Sequence, residues 1–447
     1  MRSSLSVALA LSLVLGLPVS ATQSTATQDA TTLGRAVIEQ LTHEEFAKVY
    51  AQFLPPMQSA LPEEKLKATW MTIASQVGAF KKVAGARVED HGAIKTAITT
   101  CEFERALVDI SLAFDASGKI AGMNFRPATA PAAPWAPPAY ADAGKFTESD
   151  VTVGSGEWAL PGTLTLPNGN GPFAAVVLVH GSGPNDRDET LGPNKTFKDL
   201  ALGLASRGIA VLRYDKRTKV HGAKIGALKN MTVNQETTED AVLAVAALRG
   251  MKFIDPARIV VIGHSLGGML IPRIGAADPK IAGLISMAGA TGDFAQTMAR
   301  QTRYLSEADG RVTPEEQKSI DDLDALVKSI DTLTPAEAAA GTVLMNIPAS
   351  YWLDLRGYDP PAQAKSLKQP MLILQGERDY QVTMVDDFSR WKSALGSQKN
   401  VTFKTYPALN HLFMPGVGKS VPAEYNTAGH VPEEVIVDIA NWMATIK

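Results

Sequence analysis

The chain has one cysteine among 447 residues, Cys101, so no intrachain disulfide can form and stability must come from the core. Charge of one sign is just as scarce: 43 Lys and Arg against 46 Asp and Glu leave a net charge of −3, which offers no field for nucleic acid. Beyond an apolar run at residues 5–17, no segment reaches the roughly 18 uninterrupted apolar residues of a membrane span. The 36 glycines and 27 prolines follow no period, which excludes collagen-like organisation, and no internal repeat is evident. At 45% hydrophobic residues, this length predicts two or three folding units with sizeable cores.

What is present begins with an address. Arg2, the apolar run and the small residues Val19-Ser20-Ala21 form the pattern of a secretory signal peptide over residues 1–21, cut after Ala21. The expected destination is the bacterial periplasm or the medium. Residues 30–127 then read as a small α+β domain. Leu33, Val37, Ile38 and Leu41 recur at helical spacing, Thr42-His43-Glu44-Glu45 reads as a capping box opening a second helix, and a further helix runs from Pro62 through Ile73. Residues 93–101, 104–114 and 119–125 read as strands, with Cys101 expected in the core. Residues 128–147, crowded with proline and alanine, read as a semi-rigid linker.

From residue 148 to 447 strand and helix signals alternate, the pattern of an α/β fold with a mostly parallel sheet covered on both faces. The runs at 174–179, 209–213, 259–262, 281–285 and 371–374 are too continuously apolar for half-exposed strands. One segment, about 293–364, breaks the rhythm with two helix starts, Thr313-Pro314-Glu315-Glu316 and Thr334-Pro335-Ala336-Glu337. Ile320, Leu323, Leu326, Val327 and Ile330 give it one apolar face, so it reads as a helical cap above the sheet.

The chemistry is concentrated around Gly263-His264-Ser265-Leu266-Gly267, the only G-x-S-x-G in the chain, between a buried strand and a helix. A serine on such a tight turn projects from the end of the sheet, and the amide of Leu266 opens the helix beside it. A serine hydroxyl needs a base, and only His411 and His430 follow it; His411, directly beyond the strand at 401–406, is the choice. Asp379, on the loop after 371–374, is the expected orienting acid, with Glu377 second. His180-Gly181-Ser182-Gly183-Pro184 follows the first central strand and should supply a second oxyanion amide, that of Ser182, with Gly183 as the alternative. His180 and His264 flank these motifs and read as structural; Asn185-Asp186-Arg187-Asp188-Glu189 reads as a solvated, ion-paired loop.

With these motifs, Tyr214-Asp215-Lys216-Arg217 and Gly376-Glu377-Arg378-Asp379, residues 150–447 resemble the α/β-hydrolases, in particular secreted bacterial esterase-like and dienelactone-hydrolase-like members. The resemblance implies Ser265 as nucleophile, His411 as base and Asp379 as orienter, with no cofactor or metal. Thr218-Lys219 departs from the Gly-x-Gly-x-Ser of many relatives, and true dienelactone hydrolases use a cysteine nucleophile, so that activity does not carry over. The first domain is similar to nuclear-transport-factor-2-like modules, through Cys101-Glu102-Phe103 and residues 118–125.

The expected reaction is acyl transfer from a small-molecule ester. Met298, Tyr304, Leu305, Met345, Ile347, Tyr351 and Trp352 could line an acyl pocket or form the cap's own core, the latter being preferred. An aminopeptidase of the prolyl-iminopeptidase kind would need carboxylates for a free amine, for which Glu307, Asp309, Glu315 and Glu316 are the candidates. Thioester or lactone hydrolysis would use the same residues, and a non-catalytic envelope-binding module is the reading from another class. The first domain carries no residue set with assignable chemistry; a homodimer through it is the partner to look for.

Overall fold

The structure, a computed structural model, describes residues 29–91, 94–128, 135–308 and 310–446; the expected signal peptide, residues 129–134 of the expected linker and Asp309 lie outside the described residues. Two units result, the first ending at Ala128 and the second beginning at Trp135 among the described residues.

In the first unit, helix α1 (Ala30–Thr42) buries Val37, Ile38 and Leu41 on one face, as their spacing requires. The capping box expected at Thr42 does not form. Thr42 is still in the last turn of α1, where its hydroxyl donates to the Glu39 carbonyl at 2.8 Å and so is not placed to cap a new helix. The chain turns through Glu44 at φ 58° before α2 (Phe46–Tyr50). Helices α3 (Pro55–Ala60) and α4 (Glu63–Val77) precede an antiparallel sheet in simple order, β1 (Phe80–His91), β2 (Ile94–Phe103), β3 (Leu107–Phe114) and β4 (Ile120–Ala128). Strand β1 escapes the sequence reading because Lys81, Lys82, Arg87 and Glu89 interrupt any apolar run on this edge strand. Cys101 is fully buried between Val83 and Val108 of the neighbouring strands, and burial pushes its thiol up to about 12.

The second unit is built on eight strands: β5 (Phe146–Val153), β6 (Leu160–Pro167), β7 (Phe173–Val179), β8 (Ala210–Tyr214), β9 (Ile254–His264), β10 (Gly283–Met287), β11 (Met371–Gly376) and β12 (Val401–Tyr406). Their order across the sheet is β12-β11-β10-β9-β7-β8-β6-β5, parallel from β12 to β8 and antiparallel at β6 and β5. This is the α/β-hydrolase architecture. The apolar runs are its central strands; β5 and β6, polar or alternating and on the edge, are additions the sequence reading lacks.

Two core layers, one on each face, bury the central strands: Val177, Val179 and Val261 point one way, Val176, Leu178 and Ile262 the other. The segment expected to be linker is docked over its described part. Trp135 Nε1 donates to Asp199, Tyr140 donates to the Val431 carbonyl at 2.6 Å, and β5 already begins at Phe146. Proline content alone suggests a tether, but two aromatic side chains with hydrogen-bonding ends anchor it.

Helices α5 (Thr196–Ala205), α6 (Glu239–Arg249) and α7 (Leu266–Ala277) complete the two core layers, and between β10 and β11 the insertion forms α8 (Phe294–Ser306), α9 (Pro314–Thr332), α10 (Pro335–Ala339) and α11 (Ala349–Leu355). Both capping boxes close: Thr313 and Thr334 accept from the amides of Glu316 and Glu337, whose carboxylates reach back. Ile330, Leu333, Ala338 and Trp352 make the insertion's own core.

Candidate active site

Strand β9 delivers Ser265 at φ 54° and ψ −114°, and helix α7 (Leu266–Ala277) starts at the next residue. The flanking glycines are sterically required. A Cβ on Gly263 would sit 2.2 Å from the Gly267 carbonyl oxygen, and one on Gly267 would sit 2.3 Å from that of Val179. The turn is fixed further by the Ser265 amide, which donates to the Met287 carbonyl at 2.9 Å. Within this turn the strained backbone falls on Ser265 itself.

Parallel order brings the ends of β11 and β12 beside this turn. On the loop after β11, Asp379 Oδ2 lies 2.7 Å from His411 Nδ1, both groups being nearly inaccessible to water. The carboxylate is locked: Oδ1 accepts from the amides of Gln381 and Val382 at 2.8 and 3.0 Å, and Oδ2 from Gln375 Nε2 at 3.1 Å. Asn410 Oδ1 accepts from the amides of Leu412 and Met414 and shapes the histidine loop. Among the hydrogen bonds of the described residues none joins Ser265 to His411; such bonds are often long without substrate. Glu377, the second candidate acid, accepts instead from Thr405, and His430 contacts Asp199 and the edge of Trp135.

The loop after β7 passes directly over the serine. A Cβ on Gly181 would lie 3.1 Å from Ser265 Cβ, so glycine permits the approach. The Gly181 amide donates to Glu189 Oε1 at 2.7 Å, and Glu189 Oε2 lies 2.9 Å from His264 Nδ1, an ion-pair contact without the alignment of a hydrogen bond. Thus the 185–189 loop is ion-paired but solvated only in part: residues 185–187 are half-buried, Glu189 is 6% exposed, and Asp188 pairs with Arg213 and Lys195. Loss of solvation pushes His180 down to about 4, so it is neutral where it packs against Phe197 and Tyr214. Sequence reasoning also missed Lys216, whose buried ammonium donates to the Gly181 carbonyl at 2.8 Å; its place in a motif was the available signal.

A cavity of about 290 Å³ opens beside Ser265, Leu266 and Ser182. Its apolar wall is Met269, Ala290, Phe294, Met298, Ile347 and Val382, and its polar side chains are the neutral Thr297, Gln301 and Gln381. Of the seven cap residues considered for a pocket, Met298 and Ile347 line it. Trp352 and Tyr351 are buried elsewhere, Tyr304 stacks on Tyr380, and Leu305 and Met345 are exposed. Glu307 and Glu315 are exposed outside it, and Glu316 closes its capping box.

Two families match the chain: one described as a protein of unknown function over residues 35–123, and "Serine aminopeptidase, S33" over residues 170–415. Esterase EstD of Thermotoga maritima is 39% identical over 91% of this chain and 93% of its own length. The quorum-quenching protein AidA of Acinetobacter baumannii is 26% identical over 45% of this chain and 62% of its own. A solved 2,6-dihydroxy-pseudo-oxynicotine hydrolase is 17% identical over 67% of each chain, with a TM-score of 0.42.

Proposed function

The chain belongs to the serine aminopeptidase S33 family of α/β-hydrolase fold, and from that premise we propose that it hydrolyses carboxylic esters through an acyl-enzyme on Ser265. The observation that carries the choice of esters is the cavity: among the described residues none of those lining it is charged, so a substrate's free amine would meet no carboxylate from them. Apolar walls around neutral amides suit an uncharged acyl group. Likeness to an esterase over most of both chains supports the same choice.

In this reading His411 takes the Ser265 proton as the hydroxyl attacks the ester carbonyl. Asp379 fixes the imidazole's tautomer through the 2.7 Å contact and stabilises its cation. The amides of Leu266 and Ser182 receive the oxyanion; preorganised donors of this kind are worth about 3–4 kcal/mol each. His411 then protonates the departing alcohol, and water repeats the sequence on the acyl-enzyme. Export to the periplasm or medium rests on residues 1–21 alone and is tested by the N-terminus of the protein recovered outside the cytoplasm.

The deciding assay compares p-nitrophenyl esters of graded acyl length with aminoacyl-p-nitroanilides, for the wild type and for Ser265→Ala. Ester turnover abolished in the variant is the expected result. Anilide cleavage in preference to esters would replace this reading with an aminopeptidase, and no turnover of either would favour a binding module.

A further inference from the structure

Tyr214-Asp215-Lys216-Arg217 has no part in the mechanism above, yet it starts at the last residue of β8, directly behind the oxyanion loop. Tyr214 packs edge-on against His180, Asp215 pairs with Arg187, and Arg217 pairs with Asp240. Lys216 differs from these in what it holds. Its Nζ lies 2.8 Å from the Gly181 carbonyl oxygen and 3.1 Å from Glu236 Oε1, with 2% of its side chain exposed. Glu236 is buried in turn, and its Oε2 accepts from the Tyr351 hydroxyl at 2.6 Å, a contact reaching into cap helix α11. A buried ion pair of this kind contributes little net stability over well-packed apolar residues, so stability alone is a weak account of it.

The peptide geometry supplies one. The Gly181 carbonyl and the Ser182 amide belong to the same planar trans peptide, so their C=O and N–H point in opposite directions. Fixing the oxygen fixes the hydrogen. Lys216 and Asn185 Nδ2 take the oxygen on one side, while Ser182 stands on the cavity wall with Ser265 and Leu266 on the other. We propose that Lys216 is a positioning residue for the reaction: its ammonium, neutralised by Glu236, holds the Gly181–Ser182 peptide so that the Ser182 amide faces the developing oxyanion. This rests on the acyl-transfer reading above. Flanked by Gly181 and Gly183, Ser182 has little backbone rigidity of its own, and a charge-assisted hydrogen bond removes the freedom that would otherwise be lost in the transition state.

The test uses the full chain and the variant Lys216→Met/Glu236→Gln, which removes both charges and leaves neither buried alone. With a p-nitrophenyl ester, kcat falls by about 10- to 100-fold with KM little changed, a partial version of removing an oxyanion donor. Two inhibitors separate positioning from general damage. An aliphatic trifluoromethyl ketone, which forms a tetrahedral oxyanion on the serine, loses affinity in step with kcat/KM. The matching secondary alcohol, which forms no adduct, binds as before. Tyr351→Phe keeps the ion pair and gives a smaller loss of the same kind, so the proposal stays testable should the double variant fail to fold. Unchanged kcat in the folded variants, or equal weakening of ketone and alcohol, overturns the role of Lys216. Activity surviving in Ser265→Ala would instead overturn the acyl-enzyme reading on which it rests.

Discussion

His264 donates from Nε2 to the backbone carbonyl of His411 at 2.8 Å, while its Nδ1 stands 2.9 Å from Glu189. Because Glu189 also accepts from the Gly181 amide, one buried imidazole ties the histidine loop to the loop over the serine. Burial disfavours charge on His264, but the adjacent Glu189 carboxylate outweighs it and raises its pKa above the ordinary value.

That shift gives stability a pH dependence of definite sign. A histidine with a raised folded pKa contributes stability that is fully present below its unfolded value of about 6.5 and is lost as pH rises through the folded value. Urea unfolding from mildly acidic to alkaline pH should therefore show a decline to which His264 contributes, and His264→Gln should flatten it. Parallel pH profiles for the two proteins would show that the pair carries no charge.

Ser265 holds a backbone that side-chain-bearing residues seldom adopt, φ 54° and ψ −114°. Strain of this kind costs on the order of 1–3 kcal/mol, and glycine escapes it while alanine does not. Ser265→Gly and Ser265→Ala should both be inactive, with the glycine variant the more stable of the two by about 1 kcal/mol. Equal unfolding midpoints would place the strain elsewhere.

Local steric necessity decides what can be read from the sequence. Gly263 and Gly267 announce the turn at Ser265 because backbone contacts at 2.2 and 2.3 Å permit no other residue, and the continuous apolar runs announce strands buried on both faces. Lys216 and Glu189 announce nothing comparable. Their partners lie far along the chain, and a charged residue reads as solvated until the fold buries it. The edge strands β1 and β5 are obscure for the converse reason, since an exposed edge leaves polar residues free to blur the pattern. Thr42 shows that a local motif can be satisfied by the wrong partner, here the carbonyl of its own helix.

Cys101 should be chemically silent in the folded protein. Loss of solvation is the larger cause of its raised pKa and the Asp109 charge the lesser, so almost no thiolate forms near neutral pH. A thiol-disulfide reagent should leave the native chain unmodified and label one thiol per chain in denaturant. Rapid labelling of the native protein would contradict the burial of β2.

The cavity beside Ser265 sets the expected acyl preference. Its volume of about 290 Å³ and its closure by Phe294, Met298 and Ile347 favour short acyl groups, so acetyl and butyryl esters should exceed decanoyl esters in kcat/KM. Met298 stands on cap helix α8, and shortening it extends the apolar wall without touching Asp379 or His411. One methylene in such a pocket is commonly worth about 1–3 kcal/mol, so Met298→Ala should move the optimum by several carbons while leaving acetyl turnover within a few-fold of wild type. An unmoved chain-length profile would mean that the acyl group binds away from the cap, and the alcohol moiety would then be the part of the ester that Met298 and Ile347 enclose.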